Sequence, residues 1–495
     1  MVTLVGAGPG GRGLLTIAGA EALRQADVVI YDRLVSADIL ALIPENAVRV
    51  DAGKENSRHT LPQEEMNELL VKYARGGGNV VRLKGGDCFL FGRGGEECEF
   101  LKLHGIPFRV VPGVTSALAA PAFAGIPVTH RDFCASVHIV TAHAKKNGPL
   151  QIDYESLVRL RGTLVFLMGV TALSEVCAGL LAAGIEPDTP AAVVENGARP
   201  NQRKAVSTVA ALPERAREMT LKSPAVIVVG RVCTLSGAID WFTPLPLHGK
   251  TIAVTRPKER AGSLSQKLRA LGAEVLECPC IESVLRTDLS ELRGALGGVF
   301  DWAVFTSPTG VRMAVRALRE IGHDLRALYG MKLAATGKAT AEVLAEYGLA
   351  ADLIPGTYDG AHLAEALLKE VPDGGAVLLL RAAGGSPELP ERLRKAGITA
   401  ADIRLYDTRP PAGGVPGLRE RLAAGTVDAA AFTSASTVRG FLQAAQGCDL
   451  SGLAAVCIGQ QTAREAERGG LTVKIAKNAT IDDLTNCILE VLSDV

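Results

Sequence analysis

Four loops, three of them carrying glycine and each placed where a short apolar run ends, constrain this chain more than any other feature. They read Val5-Gly-Ala-Gly-Pro-Gly-Gly11, Tyr31-Asp-Arg-Leu-Val-Ser36 with Gly53 following, Arg82-Leu-Lys-Gly-Gly-Asp-Cys-Phe-Leu-Phe-Gly-Arg-Gly-Gly-Glu-Glu97, and Pro112-Gly-Val-Thr-Ser116. A brief apolar run that closes on glycine reads as a buried strand feeding a loop, and the missing side chain lets another backbone or a ligand come close. Residues 2–5 are such a strand. Residues 14–26 carry apolar positions at helical spacing, and residues 28–31 are the next strand. Residues 79–83 and 108–111 continue the alternation, which predicts an α/β fold with a mostly parallel sheet. A second set of strands is expected at 136–141, 162–168, 191–195 and 225–229, with a subdomain boundary near residue 120.

At 495 residues the chain should hold three or four compact units. It is 47% hydrophobic and 21% charged, as a globular protein is, but only 4% aromatic, so its cores are built from Ala, Val, Leu and Ile. Lys plus Arg and Asp plus Glu both number 53, for no net charge. That excludes a global electrostatic footprint for nucleic acid while leaving room for local basic pockets. The ten cysteines are scattered, and only Cys278-Pro-Cys280 is close-spaced, so no metal site is expected. Scattered thiols without a secretion signal point to a reducing cytoplasm, and no apolar run is long enough to span a bilayer.

Trp241-Phe-Thr-Pro-Leu-Pro-Leu-His-Gly249 reads as a linker, with two prolines and a fresh strand starting at 250. It separates units 1–242 and 250–495, the linker proper being 243–249. The second unit repeats itself. Phe305-Thr-Ser-Pro-Thr-Gly-Val-Arg312 matches Phe432-Thr-Ser-Ala-Ser-Thr-Val-Arg439, and Ala335-Thr-Gly-Lys-Ala-Thr-Ala-Glu342 matches Cys457-Ile-Gly-Gln-Gln-Thr-Ala-Arg464, at offsets of 127 and 122 residues. The strand at 251–256 matches 376–381 at 125. A period this long is a whole α/β lobe, so two similar lobes with Thr/Ser loops at their strand ends are expected.

Gly6-Ala-Gly-Pro-Gly-Gly11 fits the G-x-G-x-x-G fingerprint, with Asp32 placed 21 residues beyond Gly11 as a ribose-binding acid would be. A dinucleotide-dependent oxidoreductase is therefore one reading of the first unit. It leaves Tyr31–Ser36 and Arg82–Glu97 unexplained.

Those motifs resemble the uroporphyrinogen-III C-methyltransferases, which use S-adenosyl-L-methionine. The likeness runs from residue 2 to about 242. Besides the loops above it includes Pro62-Gln-Glu-Glu65, Gly125-Ile-Pro-Val-Thr-His-Arg-Asp132, Val194-Glu-Asn-Gly197 and Ser223-Pro-Ala225. Two positions depart from the family pattern: Gly11 stands for its usual Asp, and Cys88 for its usual Pro. Residues 250–495 resemble uroporphyrinogen-III synthase through Val254-Thr-Arg-Pro257, the paired Phe-Thr-Ser loops, the Gly-x-x-Thr-Ala turns at Gly337 and Gly459, and Leu405-Tyr-Asp-Thr408. That resemblance implies lobes of about 250–283 with 410–495, and 284–409.

Together the resemblances imply a tetrapyrrole methylase fold followed by a two-lobed synthase. Hydroxymethylbilane would be cyclised to uroporphyrinogen III and then methylated at C-2 and C-7 to precorrin-2. Asp32 is the implied base and Lys54 the implied proton donor. Pro9, Gly85, Gly86, Asp87, Leu90, Thr115, Ser116, Met168 and Gly197 are the implied cofactor positions. Arg33 and Arg131 would pair with substrate carboxylates, as Arg82, Arg93 and His130 also could. In the synthase, Thr306, Ser307, Thr433, Ser434 and Thr462 would hold carboxylates, and Tyr406 would assist departure of the hydroxyl. The bland alternatives are that Asp32 pairs with Arg33, that the Thr/Ser loops only cap helices, and that the C-terminal half merely binds substrate. The family also implies a homodimer formed through the methyltransferase half.

Overall fold

The computed structural model describes residues 1–53, 62–143, 150–256, 258–357, 359–411, 414–415 and 417–493. The described chain forms two compact units. One comprises Met1–Lys250 with Leu268–Glu274; the other comprises Thr251–Lys267 with Val275–Val495.

The first unit holds two five-stranded sheets. Strands β1 (Val2–Gly6), β2 (Val28–Tyr31), β3 (Val48–Asp51), β4 (Val80–Lys84) and β5 (Phe108–Val111) lie in the order β3-β2-β4-β1-β5. All four pairings are parallel. The inner strands β1, β2 and β4 are buried almost throughout because both faces are covered, whereas the edge strands β3 and β5 bury one residue each. Leu4, Ile30 and Val80 pack into one cluster, whereas their neighbours Val5, Val29 and Val81 pack into the opposite one. The order matters for the dinucleotide reading. In the doubly-wound dinucleotide fold the first two strands are adjacent. Here β4 separates β1 from β2, so the acid after β2 does not stand one strand from the glycine loop.

The second sheet contains β6 (Val137–Thr141), β7 (Thr163–Leu167), β8 (Pro190–Glu195), β9 (Arg203–Thr208) and β10 (Ala225–Val229), in the order β6-β7-β10-β8-β9. Only β6 and β7 run parallel; the other three pairings are antiparallel. The expectation of a mostly parallel sheet therefore fails in this half. The sequence reading passed over β9, an edge strand whose residues Arg203-Lys-Ala-Val-Ser-Thr208 are mostly polar and only one of which is buried.

The second unit carries the repeat. Its strands β11 (Thr251–Val254), β12 (Glu274–Glu277), β18 (Ala429–Phe432), β19 (Ala454–Cys457) and β20 (Thr472–Ile475) order as β12-β11-β18-β19-β20. The intervening β13 (Glu282–Leu285), β14 (Trp302–Phe305), β15 (Lys332–Ala335), β16 (Ala376–Ala382) and β17 (Thr399–Arg409) order as β13-β17-β16-β14-β15. The sequence matches are matches of position: β11-β18-β19 in one sheet corresponds to β16-β14-β15 in the other, all parallel. After β14 the chain enters the helix Pro308–Glu320, and after β18 the helix Ala435–Ala444, each through a Phe-Thr-Ser turn.

Candidate active site

The loops after β1, β2, β4 and β5 emerge together at the carboxyl ends of a parallel sheet, where such folds bind ligands. Their glycines are there for contact between backbones. A Cβ on Gly6 would lie 2.5 Å from the Gly113 Cα, and one on Gly113 would lie 2.4 Å from the Gly86 carbonyl oxygen. Gly8 and Gly86 exchange backbone hydrogen bonds of 3.0 Å in both directions. The three loops are thus fused into one floor.

Above it lies a cavity of about 700 Å³. All nine implied cofactor positions line it: Pro9, Gly85, Gly86, Asp87, Leu90, Thr115, Ser116, Met168 and Gly197. Asp32 and Arg33 line it too, whereas Arg131 is exposed on a turn and does not. Lys54 lies outside the described residues. Seven non-glycine residues among those described have positive φ, and four of them, Phe91, Arg93, Met168 and Asn196, line this cavity. Strained backbone of that kind gathers where the surrounding structure holds a site in shape.

The polar groups are arranged differently from the local pairings expected. Asp32 does not pair with its neighbour Arg33. Its Oδ1 accepts from Arg82 Nη2 at 2.7 Å, across from β4. Arg82 is buried, and its Nε donates to Glu97 Oε1 at 3.2 Å; Lys84 Nζ donates to the same oxygen at 2.8 Å. Burial works against the Arg82 charge, but the Asp32 and Glu97 carboxylates outweigh it and raise its pKa. Glu97 is fully buried, and its Oε2 has no partner among the described residues. Arg82 is therefore occupied by the protein's own acids and is a poor receptor for substrate.

Asp87 is likewise committed. Its Oδ1 accepts from the backbone N–H groups of Phe89 and Leu90, both at 2.8 Å, and its Oδ2 from Gly113 at 2.9 Å. The carboxylate shapes the loop and clamps it to the next one. Thr115 caps the helix Ser116–Phe123 by accepting from the Ala117 N–H. At Gly86 (φ +69°) a Cβ would meet nothing nearer than the Ser116 nitrogen at 3.9 Å, so a side chain there would fill the cavity itself. The bare backbone at Gly86 fits a bound cofactor.

Sequence reasoning left three residues of this site without an assigned role. Glu97 and Lys84 were visible inside quoted motifs, but their ionic partnership spans a strand and a helix start. Arg199 follows the Asn196-Gly-Ala198 turn and reaches back to the loops after β1 and β2, donating from Nε to the Pro9 carbonyl at 3.0 Å and from Nη2 to the Leu34 carbonyl at 2.6 Å.

In the second unit Ser307 caps its helix by accepting from the Gly310 N–H, and its Oγ lies 3.1 Å from the Tyr406 hydroxyl. Tyr406, on β17, is buried. Ser434 caps the corresponding helix in a reciprocal arrangement with Thr437. Helix capping is thus realised for both serines, although each hydroxyl can make a further bond. Thr306 and Thr433 precede those caps half-buried, and Thr462 is buried in the helix Gln460–Arg468. The structure brings Ser307 and Tyr406 together; Thr433 and Ser434 stand at the start of a helix beside the other sheet, and Thr462 lies within the next helix. Pro257, the last residue of Val254-Thr-Arg-Pro257, lies outside the described residues. No described helix is long and apolar enough to cross a membrane.

Residues 1–213 match the family model of the tetrapyrrole (corrin/porphyrin) methylases, and residues 262–486 that of uroporphyrinogen-III synthase HemD. Over 492 residues the chain is 47% identical to the porphyrin biosynthesis protein HemD of Ruminiclostridium josui, covering 99% of this chain and 98% of that one. The uroporphyrinogen-III C-methyltransferase of Bacillus subtilis is 40% identical over 344 residues, 69% of this chain and 71% of that one. The chain spans about half the length of the sirohaem synthase of Nitrosomonas eutropha, which it also matches. Among solved structures, the uroporphyrin-III C-methyl transferase of Thermus thermophilus complexed with S-adenyl homocysteine is 40% identical and covers 47% of this chain and 98% of that one, with a TM-score of 0.42. Joined in this order, the two matched families define the chain: it belongs to the HemD-type porphyrin biosynthesis proteins in which a tetrapyrrole methylase precedes a uroporphyrinogen-III synthase.

Proposed function

We propose that this bifunctional tetrapyrrole-biosynthesis enzyme cyclises hydroxymethylbilane to uroporphyrinogen III in residues 250–495. Residues 1–242 then methylate that product at C-2 and C-7, giving precorrin-2. The observation that carries the reading is the convergence of nine separately implied positions, from Pro9 to Gly197, on one cavity.

S-adenosyl-L-methionine, when bound, supplies an electrophilic methyl group and leaves as a neutral thioether. The protein's part is alignment and proton handling. The floor made by Gly6, Gly86 and Gly113 fixes where backbone amides stand. Asp87 spends its carboxylate holding that floor together. Asp32, fixed by Arg82, takes a proton from the pyrrole as its carbon becomes the nucleophile, an effect worth roughly 10²–10⁴ in rate. Lys54 donates a proton only where the ring system tautomerises, a gain matched by a second proton lost elsewhere on the ring, so that one proton leaves overall for each methyl gained. Arg33, exposed at the cavity mouth, pairs with a substrate carboxylate, and Arg131 serves one at a distance from the cavity.

In the synthase half the Tyr406 hydroxyl, held by Ser307, assists the departing hydroxyl of the bilane. The Thr306, Thr433, Ser434 and Thr462 hydroxyls hold its carboxylates while the terminal ring inverts. The chain works as a homodimer through the methyltransferase half and resides in the cytoplasm.

Anaerobic incubation with hydroxymethylbilane, with and without S-adenosyl-L-methionine, tests both halves by isomer and mass analysis. The expected products are type III uroporphyrinogen without the cofactor and a dimethylated species with it. Type I isomer alone reduces the C-terminal half to a binding module. Unmethylated type III product in both tubes refutes the methyltransferase assignment.

A further inference from the structure

Arg199 and Arg33 stand apart from the ion-paired cations of the cavity. Arg82 and Lys84 are neutralised by Asp32 and Glu97. Arg93 pairs with Glu96. Arg199 lines the cavity half-buried, and its two hydrogen bonds go to uncharged carbonyls, those of Pro9 and Leu34. No carboxylate pairs with it among the described residues. Burial pulls its pKa below the ordinary guanidinium value, against the opposing charge of Glu274. A guanidinium has five N–H donors, and the two carbonyls use two. Three donors and a full charge are left beside the cavity.

The turn that presents it is built at a cost. Asn196 and Ala198 hold φ of +50° and +63°, a region non-glycine residues rarely occupy. The turn is also wedged in place: a Cβ on Gly10 would sit 2.2 Å from the Ala198 oxygen, and one on Gly197 would sit 2.2 Å from the Ala120 Cβ. The guanidinium is therefore held in a fixed orientation between the loops after β1 and β2. Its Leu34 contact sets it one residue from Arg33, which also lines the cavity and makes no ion pair among the described residues.

We propose that Arg199 is a carboxylate receptor of the methyltransferase cavity, acting with Arg33 on an acid side chain of the tetrapyrrole. The inference rests on the methyltransferase reading above. Two ligands could bring the carboxylate, the tetrapyrrole or the amino-acid end of the cofactor. Adjacency to Arg33 favours the tetrapyrrole.

The test compares Arg199→Gln and Arg199→Lys with wild type in the full chain. It reads the KM for uroporphyrinogen III at saturating cofactor, the Kd for S-adenosylhomocysteine by calorimetry, and the Tm. The expected result is a rise of about tenfold in KM for Arg199→Gln, as for loss of one charge-assisted bond in a partly wet site. The Kd should stay unchanged, and Arg199→Lys should recover part of the loss because it keeps the charge. A rise in Kd at constant KM keeps the receptor and assigns it to the cofactor's carboxylate. Unchanged KM and Kd, or a lysine variant no better than glutamine at lowered Tm, overturns the proposal and leaves Arg199 as a tie between loops. Absence of methyl transfer in the wild type is a separate failure, that of the proposed function, and the calorimetric arm still reports on Arg199.

Discussion

Gly197 offers the sharpest test of how the methyltransferase cavity is assembled. Replacing it by alanine would set a Cβ 2.2 Å from the Ala120 Cβ and 2.8 Å from the Ala120 Cα. Two carbons meet comfortably from about 3.5 Å, so the first contact falls short by about 1.3 Å. Ala120 is buried in the helix Ser116–Phe123, which cannot yield without moving its own first turn. That turn carries Thr115 and Ser116 into the cavity. Gly197→Ala should therefore lose about 1–3 kcal/mol of stability, the usual range for overpacking. It should weaken S-adenosylhomocysteine binding at least tenfold, because displacing the helix start misplaces both residues. Ala120→Gly removes the Cβ and costs about 1 kcal/mol alone through helix propensity. Combined with Gly197→Ala it leaves only the 2.8 Å contact, so the pair should couple favourably by more than about 1 kcal/mol, well outside additivity. Urea unfolding and calorimetric titration of the four proteins measure both effects. A Gly197→Ala protein with wild-type stability and affinity, or strictly additive losses in the double variant, would refute the close-packed account of this turn.

Asp32→Asn should lower methyl transfer by roughly 10²–10⁴-fold while isomer analysis shows the synthase half unaffected. Tyr406→Phe should raise the share of type I isomer with little change in Tm, since Ser307 keeps its bond to the Gly310 N–H. Ser434→Ala should cost about 1 kcal/mol in urea unfolding by opening the cap on the helix Ala435–Ala444. Burial, reinforced by the Asp87 charge, pushes the Cys88 thiol from about 9 up to about 11. The folded-state pKa is the higher one, so this group's stabilisation is fully present below about pH 9 and is lost as the pH rises through about 11. Melting curves across that window should fall less steeply for Cys88→Ala than for wild type; equal slopes would remove Cys88 as a contributor.

Most of the first unit's parallel sheet was legible because β1, β2 and β4 are short buried apolar runs and glycine follows at the ends of β1, β4 and β5, signals that need no knowledge of distant partners; β3, an edge strand with one buried residue, was not anticipated. The repeat in the second unit was legible for a related reason. A Phe-Thr-Ser turn has to close an apolar strand and cap the next helix at once, which restricts its residues in both copies. What escaped is what depends on strand order. β9 is an edge with one buried residue and leaves no apolar pattern to find. The dinucleotide fingerprint was legible too, and misleading, because spacing along the chain is silent about β4 entering between β1 and β2.

The candidate site divides along the same line. Positions that act through backbone, such as Gly86 and Gly197, announce themselves as glycines in loops. Ionic roles do not, because a charge's partner is chosen in space. Asp32 has Arg33 beside it in sequence, yet it takes Arg82 from β4, and Arg82 in turn takes Glu97 from the start of a helix. The consequence reaches function. Arg82 and Lys84 are already neutralised, so positive charge free to meet an anionic tetrapyrrole falls to Arg33 and Arg199, and only one of these sits in a motif that the sequence marks. Under the roles proposed for Arg33 and Arg199, a substrate rich in carboxylates is oriented from the side where the loops after β1 and β2 are tied together, while the buried Arg82, Lys84 and Glu97, with the part-exposed Asp32, form a cluster whose charges cancel.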